Sequence, residues 1–242
     1  MSDFLLKDSA SKVAFKQWLV DALQTYAAGA EGAWNDEDTL CEHFLRSISG
    51  VLNTPTGQLQ INRYKTRGRG PGAPEKKLGA DIICLVNIQT SNAFLNGFCL
   101  IQAKKAKLLK DCLHKVSHDA DVMLSQTAAS YVMVLMPTEV TMSGAMAVHS
   151  SRKKDPSLTE FPYVSFPRFA VEQLLNGLML EPLTSHRRVL TPELKAEVEH
   201  ILMIVGGSKH AAAEGRSVAE RQLAELGLDI DINGAGKSPS DG

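Results

Sequence analysis

The sequence predicts an α/β fold, a central mixed β-sheet flanked by helices. Three observations carry this. Helical and strand-like apolar patterns alternate along the chain rather than segregating into blocks. Several apolar runs are short and bounded by polar or Pro residues, Tyr131-Val-Met-Val-Leu-Met136 before Pro137 among them. And 242 residues at 44% hydrophobic content suffice for one sizeable core with a small appendage.

Taken in order, residues 11–26 form an amphipathic helix. Asn35-Asp36-Glu37-Asp38 then supplies a cap signal for a second helix, Asp38 to Leu52, with Leu40, Phe44, Ile48 and Leu52 as its core stripe and Glu42 to one side of it. Strands follow near 58–65, 80–86 and 97–104. A helix from Asp111 to Ala129 leads into the strand at Tyr131. A short strand is predicted near 163–166 and a helix over 169–178. Thr191-Pro192, cap and first turn, opens another helix through about Val205. Beyond Gly206-Gly207 the composition turns small and polar. This marks a boundary between a domain spanning 1–206 and a C-terminal extension, 207–242, with a short helix near 217–227 and a disordered tail.

The most informative stretch runs from Leu78 to Lys105. Leu-Gly-Ala-Asp-Ile-Ile-Cys-Leu-Val is followed by a polar loop and then by Gly-Phe-Cys-Leu-Ile-Gln-Ala-Lys-Lys. With a hairpin tip near Ser91 and Asn92, Asp81 stands opposite Gln102. Alternation then places Asp81, Ile83 and Leu85 on one face with Phe98, Leu100, Gln102 and Lys104. One carboxylate, one amide and one ammonium converge at the edge of an apolar sheet. Carboxylate and amide oxygens suit a hard cation such as Mg²⁺ that keeps waters available as nucleophile. A Lys beside it can orient that water or neutralise charge developing on phosphorus. The plainer alternative is a hairpin whose polar residues mark strand ends, with Lys104 and Lys105 reaching into water.

A helix bearing Glu42, then Gly79-Ala80-Asp81 opening a strand, then Gln102-Ala103-Lys104 closing the next, resembles the signature of the PD-(D/E)XK nuclease superfamily. Gln126 and Tyr131 fall where many members carry a further Gln and Tyr. The resemblance covers residues 37–137 and rests on short motifs whose order is more specific than any one of them. It implies a restriction-endonuclease-like sheet and a Mg²⁺-dependent DNA endonuclease, with Mn²⁺ as an alternative cation. Asp81, Gln102, the Ala103 carbonyl and Glu42 would serve the metal and its water, and Lys104 would orient the attacking water. Gln126 and Tyr131 would support the site. Gln102 stands where most members have Glu, one negative charge fewer for the cation. The compact layout is similar to effectors of bacterial anti-phage defence and restriction, with recognition or control supplied by a partner sensor or ATPase or by homo-oligomerisation.

Net charge is −1, so any attraction to nucleic acid must be local. Arg63, Lys65, Arg67, Arg69, Lys76 and Lys77 crowd the segment before Asp81, and Lys105 follows the Gln-x-Lys motif. Gly68, Gly70, Pro71, Gly72 and Pro74 make the first cluster a loop. Arg67, Arg69, Lys76, Lys77 and Lys105 are therefore the expected DNA contacts. The four cysteines, Cys41, Cys84, Cys99 and Cys112, show no zinc-ribbon or disulfide framework. They are expected reduced and buried, with Cys84 and Cys99 facing each other away from the metal. No signal peptide or membrane span is apparent, and a cytoplasmic protein is expected.

Other chemistries find little support. His114 and His118 have zinc-helix spacing, with Asp119 and Asp121 near, but Lys115 stands where a metalloprotease carries Glu. Ser143-Gly144 and Ser150-Ser151 form no nucleophile elbow, and the 68–72 loop lacks the ending of a nucleotide-binding loop. Two alternatives to an active nuclease stay open: a non-catalytic subunit of the same fold that binds nucleic acid or a partner, and an unrelated α/β binding protein with a coincidental motif.

Overall fold

The computed structural model describes residues 9–34, 36–55, 57–65, 78–89, 94–106, 113–150, 162–175, 177, 180–182, 198–207 and 217. Their elements are α1 (Ser9–Ala33), α2 (Glu37–Ser47), β1 (Gly50–Thr54), β2 (Gly57–Lys65), β3 (Ile82–Gln89), β4 (Phe94–Lys105), α3 (Leu113–Gln126), β5 (Ser130–Leu135), β6 (Val140–Gly144), α4 (Ala145–Ser150), β7 (Val164–Ser165), α5 (Phe166–Phe169) with a π-helical turn at Ala170–Leu174, β8 (Glu181–Pro182) and β9 (His200–Gly207). The strands form one mixed sheet in the order β1-β2-β9-β3-β4-β5-β6-β7, with β8 on the first half of β4. Helices cover both faces, as the α/β prediction requires.

Two cores follow from side-chain alternation. Phe15, Leu19, Tyr26, Leu40, Phe44 and Ile48 of the α1–α2 layer pack on Leu59, Ile61, Ile82, Cys84, Cys99 and Ile101. On the other face Val116, Ala120 and Met123 of α3, spaced three and four apart, cover Ile83, Leu85, Phe98, Leu100, Val132 and Val134. The β3–β4 pairing sets Ile82 against Ile101 and Cys84 against Cys99, the register that places Asp81 opposite Gln102. Cys41, Cys84 and Cys99 are buried and take part in no disulfide.

The strand-like 200–207 segment overturns the helix expected through Val205. β9 runs antiparallel to β2 and parallel to β3, inserted between them. Ile201, Met203 and Val205 enter the α3 core while Leu202 and Ile204 enter the α1–α2 core. A strand buried on both faces reads as a continuous apolar run, with no polar alternation to mark it. The Thr191-Pro192 start signal lies outside the described residues. The Gly206-Gly207 pair, read as a domain boundary, closes this central strand. The C-terminal helix and tail lie outside the described residues apart from Ser217.

The second helix also ends earlier than expected. Ser47 Oγ donates to the Phe44 carbonyl at 2.8 Å and Ser49 Oγ to that of Leu45 at 2.6 Å, competing with backbone partners at the helix end. Leu52 consequently lies on β1, partly buried against the α1–α2 core. β6 and α4 are short elements that the sequence pattern did not distinguish. No described helix is long and apolar enough to cross a membrane.

Candidate metal and nucleic-acid site

The ends of β2 and β4 and the beginnings of β3 and β9 share one rim of the sheet, because Lys65 pairs with His200, His200 with Ile82, and Ile82 with Ile101. Asp81 is the first residue beyond that pairing. Its N–H donates to Ile101 O at 3.0 Å, and its carbonyl accepts from the N–H groups of Glu199 and His200, each at 3.1 Å. Both neighbouring strands therefore fix its backbone. Gly79, two residues earlier, has φ 65°, and a Cβ there would lie 2.4 Å from the Asp119 carbonyl oxygen. The close approach of this turn to α3 thus demands glycine.

The Asp81 side chain, 5% exposed, projects on the α3 side with Ile83 and Leu85. Its Oδ2 accepts from the Ala103 N–H at 2.9 Å and from Gln102 Nε2. The same Nε2 lies 3.2 Å from the Ala103 carbonyl oxygen. Gln102 is fully buried, and its Oε1 has no hydrogen-bond partner. Three of the four expected metal-binding groups, Asp81, Gln102 and the Ala103 carbonyl, thus form one bonded cluster. The unsatisfied oxygen matters because a buried acceptor without a donor costs roughly 1–3 kcal/mol. An amide turned end for end presents oxygen to the neighbours that now face nitrogen. Carboxylate, amide and carbonyl oxygens are the donor set of a hard cation, so these residues fit Mg²⁺ or Mn²⁺. Among the described residues no group of three or more His, Cys, Asp and Glu side chains could hold a metal; the candidate set rests on one carboxylate and neutral oxygens.

Lys104 continues along β4. Its Nζ donates to Glu37 Oε1 at 2.8 Å, and Glu37 Oε2 accepts the Lys105 N–H at 3.0 Å. Glu37 is the first residue of α2, placed there by Asp36, whose carboxylate caps the helix by accepting from Thr39 N at 3.0 Å and from the Thr39 hydroxyl. The Thr39 side-chain and backbone donors hold the Asp36 carboxyl below its ordinary pKa. The sequence alone does not distinguish Glu37 from its acidic neighbours Asp36 and Asp38. Its signal was the acidic run at the helix start, whose carboxylates sit at the end of the helix nearest the sheet rim.

Glu42 is placed differently from expectation. Five residues further along α2, its Oε1 accepts from Arg63 Nη1 at 2.8 Å and Arg46 Nη2 at 3.3 Å, and its Oε2 from Lys65 Nζ at 3.1 Å. The Arg63 hydrogen bond, more than any other contact, holds its carboxyl down to about 2. Arg63 and Lys65 share the side of β2 that carries Leu59 and Ile61 into the α1–α2 core. This network therefore lies across the sheet from the face that Asp81 and Gln102 occupy. Near it, buried His200 has its imidazole pKa lowered to about 4, chiefly by burial.

The supporting residues are not at this site either. α3 runs back from the rim toward the start of β5, which pairs with the middle of β4, so Gln126 at its last turn is set away from Lys104. Its Nε2 bonds Ser125 Oγ at 3.2 Å. Tyr131 is buried in the α1–α2 core, edge-on to Phe169 with centroids 4.7 Å apart, and burial raises its phenol pKa. Aromatic packing accounts for both its residue type and its position on the strand. Lys105, expected on DNA, is buried; its Nζ donates to Trp34 O at 2.7 Å and stands over the Trp34 ring. Arg67, Arg69, Lys76 and Lys77 lie outside the described residues.

No protein-family model, curated protein or solved structure matches this chain.

Proposed function

We propose that this protein is a Mg²⁺- or Mn²⁺-dependent DNA endonuclease with a PD-(D/E)XK-type site, serving as an effector in bacterial anti-phage defence or restriction. The observation that carries the reading is the bonded cluster of Asp81, Gln102 and the Ala103 carbonyl, with Lys104 two residues along the same strand. Asp81, Gln102 Oε1 and Ala103 O would hold the cation. When bound, such a cation supplies a Lewis acid and a more acidic water. The rest falls to the chain itself. Asp81 supplies the anionic charge, and the strands on either side fix its position. Lys104, two residues beyond Gln102 on β4 and held by Glu37, would supply the positive charge that neutralises charge growing on the phosphate oxygens. Glu37 takes the α2 carboxylate position expected of Glu42, as a positioning residue for Lys104. The basic residues 67–77 immediately precede the site in the chain and would contact the DNA backbone.

The test is cleavage of supercoiled and linear duplex DNA with Mg²⁺ or Mn²⁺. Asp81→Ala should abolish cutting with the fold intact by circular dichroism. Lys104→Ala should lose turnover while Mn²⁺ affinity, read by calorimetry, is unchanged or improved, since a competing positive charge is gone. Undiminished cutting by Asp81→Ala would falsify the assignment. The single carboxylate of the cluster favours one second reading, a non-catalytic nuclease-fold subunit that binds nucleic acid or a partner. Binding of DNA by the wild-type protein without cleavage in either cation would establish it.

A further inference from the structure

We infer that Arg46, Arg63 and Lys65, gathered by Glu42, form a backbone-phosphate contact for duplex DNA on the α2 side of the sheet rim, and that Glu42 is a positioning residue of this patch rather than a metal ligand. This inference rests on the nuclease reading and adds to it where the DNA lies.

Three cations and one carboxylate leave two positive charges within a few ångströms. Left to themselves, such cations repel and spread into water. One shared carboxylate lets them converge, and each bond to it uses only one donor of a guanidinium or ammonium, leaving the others for an incoming anion. Exposure agrees with this division of labour. Arg63 is 16% exposed and bonds Glu42 most closely, while Lys65 and Arg46 are 59% and 70% exposed and present their remaining donors to solvent. His200, packed beneath, adds no charge at neutral pH because burial keeps it neutral.

Position links the patch to the cluster. Lys65 and Asp81 stand at the same rim with only β9 between their strands. At about 4.8 Å per strand they are roughly 10 Å apart across the sheet. Arg63 and Lys65, two residues apart on one side of β2, repeat at roughly 7 Å along the strand. A duplex backbone crossing this rim would meet the cations on one side of Asp81 and Lys104 on the other. A purely structural ion-pair network has no need of two cations exposed by more than half their surface, since such pairs contribute little to stability.

The test uses the full chain in EDTA, so that no cutting occurs, with labelled duplex DNA and anisotropy over a range of salt. Arg46→Ala/Lys65→Ala, both at exposed positions, should flatten the slope of log affinity against log salt by about 1.8 and weaken binding roughly ten- to thirtyfold at 0.15 M salt. Glu42→Gln separates charge from positioning. Losing a negative charge alone tightens binding to DNA, whereas losing the common anchor weakens it, and we expect a weakening of about threefold from the added cost of ordering three side chains. Mn²⁺ affinity should be unchanged in Glu42→Gln and lost in Asp81→Asn. A wild-type slope and affinity in the double variant, or loss of Mn²⁺ binding in Glu42→Gln, would overturn the inference while leaving the nuclease reading standing. Failure of the wild-type chain to bind duplex DNA would overturn both.

Discussion

Gln102 is a fully buried amide with a satisfied nitrogen and an unsatisfied oxygen, beside the one carboxylate of the cluster. Replacing it with Glu puts two carboxylates in one buried site. Without a cation these repel, and one is forced toward its protonated form; with a divalent cation the extra charge tightens binding. Gln102→Glu should therefore lower the melting temperature of the metal-free protein, enlarge the rise produced by Mn²⁺, and reduce the Mg²⁺ needed for half-maximal cleavage. A variant whose metal-free stability and metal response both equal wild type would remove Gln102 from the site. At this scale much was legible. The hairpin register fixed Asp81 opposite Gln102 because alternation is rigid and the turn position was marked by polar residues. That Glu37 rather than Glu42 engages Lys104 was not legible, since both lie on one helix and helical spacing says nothing about which cations each meets at the sheet. In the fold Arg63 and Lys65 engage Glu42, and Lys104 engages Glu37.

At the scale of elements, β9 changes the reading most. Its apolar run is consistent with a buried helix or a buried strand, and periodicity alone cannot separate the two. The Thr191-Pro192 start signal favoured helix; pairing with β2 and β3 decided for strand. Because β9 is central, His200 at its first position is buried at the rim, and its neutral form is the folded form. Its folded pKa, about 4, is below the ordinary 6.5. The unfolded chain thus binds the proton more readily between these values, and stability contributed above pH 6.5 is lost as pH falls toward 4. Thermal unfolding from pH 7 to 4 should show a stability loss that His200→Asn reduces within that window, whatever the variant does to stability at pH 7. The Glu42 carboxyl, held at about 2, contributes in a lower window. Its network is intact above about pH 4.5 and is lost as pH falls through 2, so the two effects separate on the pH axis. An unchanged acid profile in His200→Asn would place the sensitivity elsewhere.

Across the whole molecule, charge is distributed rather than abundant. A net charge of −1 gives no general attraction to a polyanion, so on the proposed nuclease reading DNA affinity rests on local arrays of cations. Two such arrays are candidates: Arg46, Arg63 and Lys65 gathered on Glu42, and, by their place in the sequence, Arg67, Arg69, Lys76 and Lys77 between Lys65 and Asp81. Counterion release makes their contributions separable, since each phosphate neutralised on duplex DNA adds about 0.9 to the salt slope. Replacing Arg67, Arg69, Lys76 and Lys77 together by Ala should flatten that slope by up to about 3.6 and weaken binding, with cleavage at saturating DNA preserved because no residue of the Asp81 cluster is touched. Combining this change with Arg46→Ala/Lys65→Ala should flatten it further by nearly the sum of the two, as expected for groups that contact different phosphates. A combined loss no larger than the quadruple variant's alone would mean that both arrays compete for the same phosphates. If the quadruple variant binds with unchanged affinity and slope, the DNA approaches Asp81 from the α2 side alone, and residues 67–77 serve only the solvated surface.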